Sequence, residues 1–168
     1  LNLANLYSEQ GYLEDAEPLY LNVKSIRQVS PGKNHPGYTR VLASLGNLYV
    51  DMARFEEAEA LVQEVKSIQI ASFGSKSREY ANALNNQGHL YYETGQYFNA
   101  ETCLLEAKDI YGEILGKNHP EYARILNNLA DVYTQLSLFQ EGEACQLEAL
   151  QIWENAFGKK DPLYATWL

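Results

Sequence analysis

Three histidines and two cysteines are the residues from which this chain of 168 could most readily build reactive chemistry. His35, His89 and His119 stand far apart, and none lies at metal-ligand spacing from another histidine or from a cysteine. Cys103 and Cys145 replace leucines that occur at the matching positions Leu19 and Leu61, so they read as small apolar core residues. A Cys–His nucleophile pair would require such a cysteine to leave its helix interface. The 11 glycines are spaced as helix stops and packing sites, not as a phosphate-cradling loop. No catalytic residue, metal or cofactor is expected, and the segment reads as a non-enzyme.

The interval between the two cysteines recurs throughout the chain. Tyrosine returns at Tyr7, Tyr49, Tyr91 and Tyr133, every 42 residues. Ala16, Ala58, Ala100 and Gly142 keep the same step, as do Glu17, Glu59, Glu101 and Glu143. Ile26, Ile68, Ile110 and Ile152 follow it, and so do Gly32, Gly74, Gly116 and Gly158. A fixed period of this length is the mark of a repeat solenoid, whose function lies in the surface it stacks up. The copies run at about 1–35 (shortened at its start), 36–77, 78–119 and 120–161, with 162–168 opening a further helix.

Each copy reads as two helices. Tyr122, Ile125, Leu126, Leu129, Ala130 and Tyr133 have the spacing of one amphipathic helix, and Ala100, Cys103, Leu104, Ala107, Tyr111 and Ile114 that of the other. Gly11, Ala53, Gly95 and Ser137 occupy the break between them, where glycine fits a left-handed helix end more easily than alanine or serine. Pro36, Pro120 and Pro162 suit a first helical turn, preceded by His35, His119 and Asp161, while Ser77 precedes Arg78. Serine and aspartate are good N-caps and histidine a weaker one. Pro18 falls early in a second helix, where a tolerated bend is expected. Ala4, Gly46, Gly88 and Ala130 face the small residues of the second helix, so that the pair can approach closely. One hairpin buries too little apolar surface to stand alone, so stacking on neighbours supplies the rest.

A net charge of −9 argues against nucleic acid or an anionic membrane as partner. Much of that charge (Glu14, Asp15, Glu17, Glu56, Glu57, Glu59, Glu101, Glu141, Glu143) falls at the start of second helices, where carboxylates complement the helix dipole and sit in water. No long apolar run or leader is visible. Leu1 matches Ala43 and the far end matches Tyr122–Leu126, so both ends read as cut from a longer protein. Equivalent cysteines two helix spacings apart are beyond disulfide reach, and reduced thiols place the chain in the cytoplasm.

The stretches Leu45-Gly46-Asn47-Leu48-Tyr49 and Leu129-Ala130-Asp131-Val132-Tyr133, each followed by Ala-Glu or its counterpart nine to ten residues after the tyrosine, resemble the tetratricopeptide repeat. The 42-residue length, Leu84-Asn85-Asn86, Leu126-Asn127-Asn128 and the Gly-Lys-Asn-His-Pro linkers are similar to the kinesin-light-chain subclass. Such arrays also accompany effector domains such as caspase-like CHAT proteases. The resemblance implies an all-α, right-handed superhelical solenoid of antiparallel helix pairs, four repeats long, whose first helices line a concave groove. Its groove positions fall here on Asn5, Asn47, His89 and Asp131 at the centre. Asn85 and Asn127 lie one turn earlier, with Ala43, and Arg40, Asn82 and Arg124 another turn back. Val50, Tyr92 and Thr134 lie one turn later. Most are polar and none belongs to the apolar stripe, so they are expected to be free to face a ligand.

Asparagine amides both donate and accept, so a ladder of them can bind the main chain of an extended peptide with little demand on its sequence. The implied role is a protein-interaction scaffold for a peptide or partner segment. The alternative is a regulatory arm acting on an adjacent effector domain. Clamping of a C-terminal carboxylate is not expected, because Leu1, Asn82 and Asn86 stand where that mode needs cations. Glu9, Asp51 and Glu93 near the groove edge tilt the preference towards neutral or basic segments.

Overall fold

The computed structural model describes residues 1–158. Among them are eight α-helices and no strand: α1 Asn2–Glu9, α2 Leu13–Arg27, α3 Pro36–Asp51, α4 Phe55–Phe73, α5 Arg78–Glu93, α6 Tyr97–Ile114, α7 Pro120–Gln135 and α8 Phe139–Phe157. The expected helix start at Asp161-Pro162 and the further helix opening at 162–168 lie outside the described residues. Two compact units divide the chain, Leu1–Ser75 and Lys76–Leu168. In the first, α1 packs on α2, α2 on α3 and α3 on α4; in the second, α5 packs on α6, α6 on α7 and α7 on α8, and α5 also meets α7.

The paired helices are antiparallel because only three residues join them, at 10–12, 52–54, 94–96 and 136–138. The middle residue of each turn is left-handed: Gly11 at φ 79°, Ala53 at 56°, Gly95 at 73° and Ser137 at 60°. The backbone therefore keeps this geometry even where a Cβ makes it costly. α3, α5 and α7 begin with side-chain caps, and α1 does not. His35 Nδ1 accepts from the Gly37 N–H at 3.0 Å and His119 Nδ1 from the Glu121 N–H at 3.1 Å. Ser77 Oγ accepts from the Tyr80 N–H at 3.1 Å. Histidine thus performs the capping that serine performs in the other copy, with proline at the next position.

The second helices differ at one place. α2 ends at Arg27, whereas α4 and α8 run on to the matching residues Phe73 and Phe157. Pro31 stands at that point in the first copy, and proline bars the α conformation from the residue before it. Ser30 is accordingly extended (φ −146°, ψ 123°) inside the wide turn Gln28–Gly32. Pro18, by contrast, leaves α2 continuous.

Ala4, Ala16, Ala58, Ala100 and Ala130 are fully buried, as expected of close helix approach. In the second unit the core runs through Leu84, Leu104, Ala107, Tyr111, Ile125, Leu126 and Leu129. Of the periodic tyrosines Tyr49 is buried, while Tyr7, Tyr91 and Tyr133 are half-buried. Cys103 is buried, Cys145 half-buried, and both are free.

Candidate functional site

Two of the periodic tyrosines make contacts that periodicity alone did not show. Tyr49 Oη donates to Glu17 Oε1 at 3.0 Å, so the first helix of one repeat is tied to the second helix of the repeat before it. Tyr133 lies against Glu101 at the matching positions in the other unit, 84 residues on. A second tie works within one repeat: Tyr38 Oη donates to Glu64 Oε1 at 3.0 Å, and Tyr80 pairs with Glu106. Burial first, and the Glu64 carboxylate second, push Tyr38 up to about 12. Tyr133 is pushed up to about 12 by burial, then by Glu101. The expectation that Glu17 sits in water as a dipole complement is therefore corrected. Arg54 Nη1 reaches Glu17 Oε1 at 2.8 Å and its guanidinium lies 4.2 Å from the Tyr49 ring centre. That hydrogen bond from Arg54 holds the Glu17 carboxyl below the usual range, with burial opposing it.

Holding the helices in this register presents the polar face of the first helices. In the first unit Arg40 and Asn47 are exposed. Asn5 is half-buried and its Oδ1 accepts from Tyr20 Oη at 2.9 Å. Val50 is buried (8% exposed), so it is part of the core and not open to a ligand as its position implied.

In the second unit the asparagines are largely spent on their neighbours. Asn85 is buried at 6% exposed and its Oδ1 accepts from Asn128 Nδ2 at 2.7 Å, which corrects the expectation that it is free. Asn82 Oδ1 accepts from Tyr111 Oη at 2.7 Å and from Arg124 Nη2 at 3.4 Å. Arg124 also donates to Glu121 Oε2 at 3.0 and 3.1 Å. Arg78 pairs with the same carboxylate at 3.1 Å. Burial resists ionisation of Glu121, yet the two guanidiniums outweigh it and leave the carboxyl below its ordinary range. Asn127 is half-buried, and His89 and Asp131 are exposed.

His89, Tyr92 and Asp131 converge on one feature, a cleft of about 160 Å³ between α5 and α7 that is also lined by Gly88, Glu93, Leu104, Asn128 and Val132. Leu104 and Val132, each 1% exposed, form its apolar floor. A Cβ at Gly88 would lie 2.9 Å from Leu104 Cγ, so the missing side chain is what lets α6 approach α5 at this point. The Tyr92 ring packs edge-on against Tyr97 with centroids 5.7 Å apart, and Gln135 Nε2 donates to its hydroxyl at 3.4 Å. His89 Nε2 lies 3.7 Å from Glu93 Oε1. Partial burial raises the Asp131 carboxyl above its ordinary range. Leu104, Asn128 and Val132 were not among the residues expected to face a ligand. The signal for Leu104 was available: the matching residue in the first repeat is Tyr20, a size change at a packing position.

Among the described residues no group of three or more His, Cys, Asp or Glu is placed to hold a metal ion. None of their helices is long and apolar enough to cross a membrane.

Residues 1–71, 79–141 and 123–168 match the family model described as tetratricopeptide repeat. A search of curated proteins found no match. Solved structures with the same fold include BtubC (BKLC) from P. vanneervenii, 25% identical with a TM-score of 0.78 over 93% of this chain. The chain spans 62% of the length of that protein. A candidate kinesin light chain of Podosopora anserina with nearly identical TPR-like repeats is 21% identical, with a TM-score of 0.78 over 99% of this chain and 79% of that one. A variant of the same Podosopora anserina protein gives the same identity and TM-score over 78% of its length. With its paired helices, left-handed turns and repeat-to-repeat tyrosine ties, the chain belongs to the tetratricopeptide repeat family, and its structural neighbours are kinesin-light-chain-like arrays.

Proposed function

We propose that this chain, an interaction scaffold by virtue of its repeats, receives an extended protein segment on the polar face of its first helices, with α5 and α7 as the principal contact. The observation that carries this reading is the α5/α7 cleft. Its floor is apolar, its rim is polar, and it gathers His89, Tyr92 and Asp131 from two successive first helices. Small-molecule pockets run to several hundred Å³. At about 160 Å³ the cleft is nearer the size of a cavity that holds one benzene ring. It therefore suits a single anchoring side chain of a longer segment.

On the same helix as Asp131, Asn127 is half-buried, and on the first helices of the other unit Arg40 and Asn47 are exposed; such groups can hydrogen-bond a peptide main chain without reading its sequence closely. Asn82 and Asn85 support the surface from within, by fixing α6 and α7 through their hydrogen bonds. Selection of a displayed random-peptide library on the full chain tests the reading. Short peptides are expected to be enriched, and replacing Asn47, His89 and Asp131 together by alanine should abolish their binding while leaving the helical signal unchanged. Enriched peptides that bind the triple variant undiminished would overturn it.

A further inference from the structure

We propose that the α5/α7 cleft takes the side chain of one lysine or arginine from the docked segment, an assignment that rests on the docking reading above. Four features of the cleft select that chemistry together. Leu104 and Val132 form a floor that can cover an aliphatic stem, which both basic side chains carry behind their charge. The Tyr92 ring forms part of the wall, and an aromatic face attracts a cation within about 6 Å of its centre. Glu93 from α5 and Asp131 from α7, both exposed, bring two carboxylates to the lining. Asn128 commits an Nδ2 hydrogen to Asn85 Oδ1, so it can offer an incoming group its carbonyl oxygen, an acceptor.

The charges already present leave this demand unmet. Asp131 is exposed yet partly desolvated by its surroundings, and among the described residues no cation is paired with it. Arg124, two turns earlier on α7, is held by Glu121 and Asn82. His89 lies 3.7 Å from Glu93, and only a protonated imidazole would compete with the incoming cation for that carboxylate. An acidic anchor would meet two like charges at the rim, and a neutral apolar one would desolvate both carboxylates without compensation. A basic side chain satisfies floor, wall and rim at once.

The test uses the full chain and the displayed random-peptide library, near pH 8, where an ordinary imidazole is neutral. Enriched peptides should share a lysine or arginine at one position. Replacing that residue by norleucine or citrulline should weaken binding by about tenfold or more, as loss of a partly desolvated charge pair does. Asp131→Asn with Glu93→Gln should weaken the parent peptide equally, with helical content unchanged, and should no longer distinguish it from its neutral analogue. Enriched peptides that lack a basic residue, or that bind this double variant at full strength yet fail on the triple alanine variant, would overturn the basic anchor and leave docking intact. No enrichment of any peptide would overturn both.

Discussion

In the unit Leu1–Ser75 the hydroxyl of Tyr20 reaches Asn5 Oδ1 at 2.9 Å, from a side chain that is itself 3% exposed. In the unit Lys76–Leu168 the matching residues, 84 positions on, are Leu104 and His89, and there the cleft opens between α5 and α7. The backbones are built to one plan, so the difference lies in how far a single second-helix side chain extends. Tyrosine fills the space beneath the first-helix face and satisfies the asparagine; leucine stops short and leaves an apolar floor. In the first unit Arg54, Glu17 and Tyr49 are spent on a clamp, and of its first-helix polar groups Arg40 and Asn47 stay exposed. The second keeps His89 and Asp131 open to solvent. A repeat array can thus open a cleft by shortening one residue while keeping its frame.

The largest effect should come from removing that filler. Tyr20→Leu loses a buried ring and its hydrogen bond and should cost about 2 kcal/mol in thermal or urea unfolding. It should also open a second cleft beside Asn5, so that probes of the α5/α7 site gain a weaker additional site. A variant as stable as the parent would show that Tyr20 does not hold this space.

Next comes a pair of substitutions at one repeat position with opposite signs. Gly88→Ala places a Cβ 2.9 Å from Leu104 Cγ and 3.5 Å from the Ala100 carbonyl. The overpacking should outweigh the gain in helix propensity and cost about 1–2 kcal/mol. At Gly46 the nearest side-chain atoms, on Leu61 and Val62, stand at 3.9 Å, because valine is shorter than the leucine at the matching position. Gly46→Ala should therefore stabilise, by about 0.5–1 kcal/mol. Equal signs for the two would contradict the packing difference between the units.

Glu17→Gln weakens the clamp of the first unit and should cost about 1 kcal/mol at neutral pH. Because Arg54 lowers the Glu17 carboxyl below its unfolded value, its contribution is present above the unfolded pKa and is lost as pH falls through the folded one. The parent and the glutamine variant should therefore converge in acid.

Asp131 has the opposite sense and the smallest effect. Burial raises its carboxyl, so its stabilising share is present below the unfolded pKa and lost as pH rises through the folded one. Asp131→Asn should raise stability at neutral pH by under ~0.5 kcal/mol, its solvent exposure keeping the gain small, and the gain should vanish in acid. Stability gained while peptide binding is lost would mark a residue kept for docking.

Much of this plan was legible in the residues. The apolar spacing of 120–136 gave α7, and Pro36, Pro120 and Ser77 marked the starts of the first helices. The positions of Gly11 and Gly95 marked the turns, and Ala53 and Ser137 followed them into the left-handed region. The partners of the periodic residues were harder to read. Tyr49 and Glu17 are 32 positions apart, on helices of different repeats, so each had a sufficient local explanation: a core ring and a dipole complement. Asn85 and Val50 were misplaced for a related reason. Spacing locates a residue on a helix face but not how closely the neighbouring helix covers that face. The cleft depended on the reach of Tyr20 against Leu104, a matter of packing rather than of pattern.

Docking at α5 and α7 is tested most directly by the methyl resonances of the full chain during titration with a selected peptide. Leu104 and Val132 methyls should shift together and saturate, while Leu147 on the exposed face of α8 and Val29 in the first unit stay still. Saturable shifts at Leu147 or Val29, with Leu104 and Val132 unmoved, would place the partner elsewhere and contradict the account.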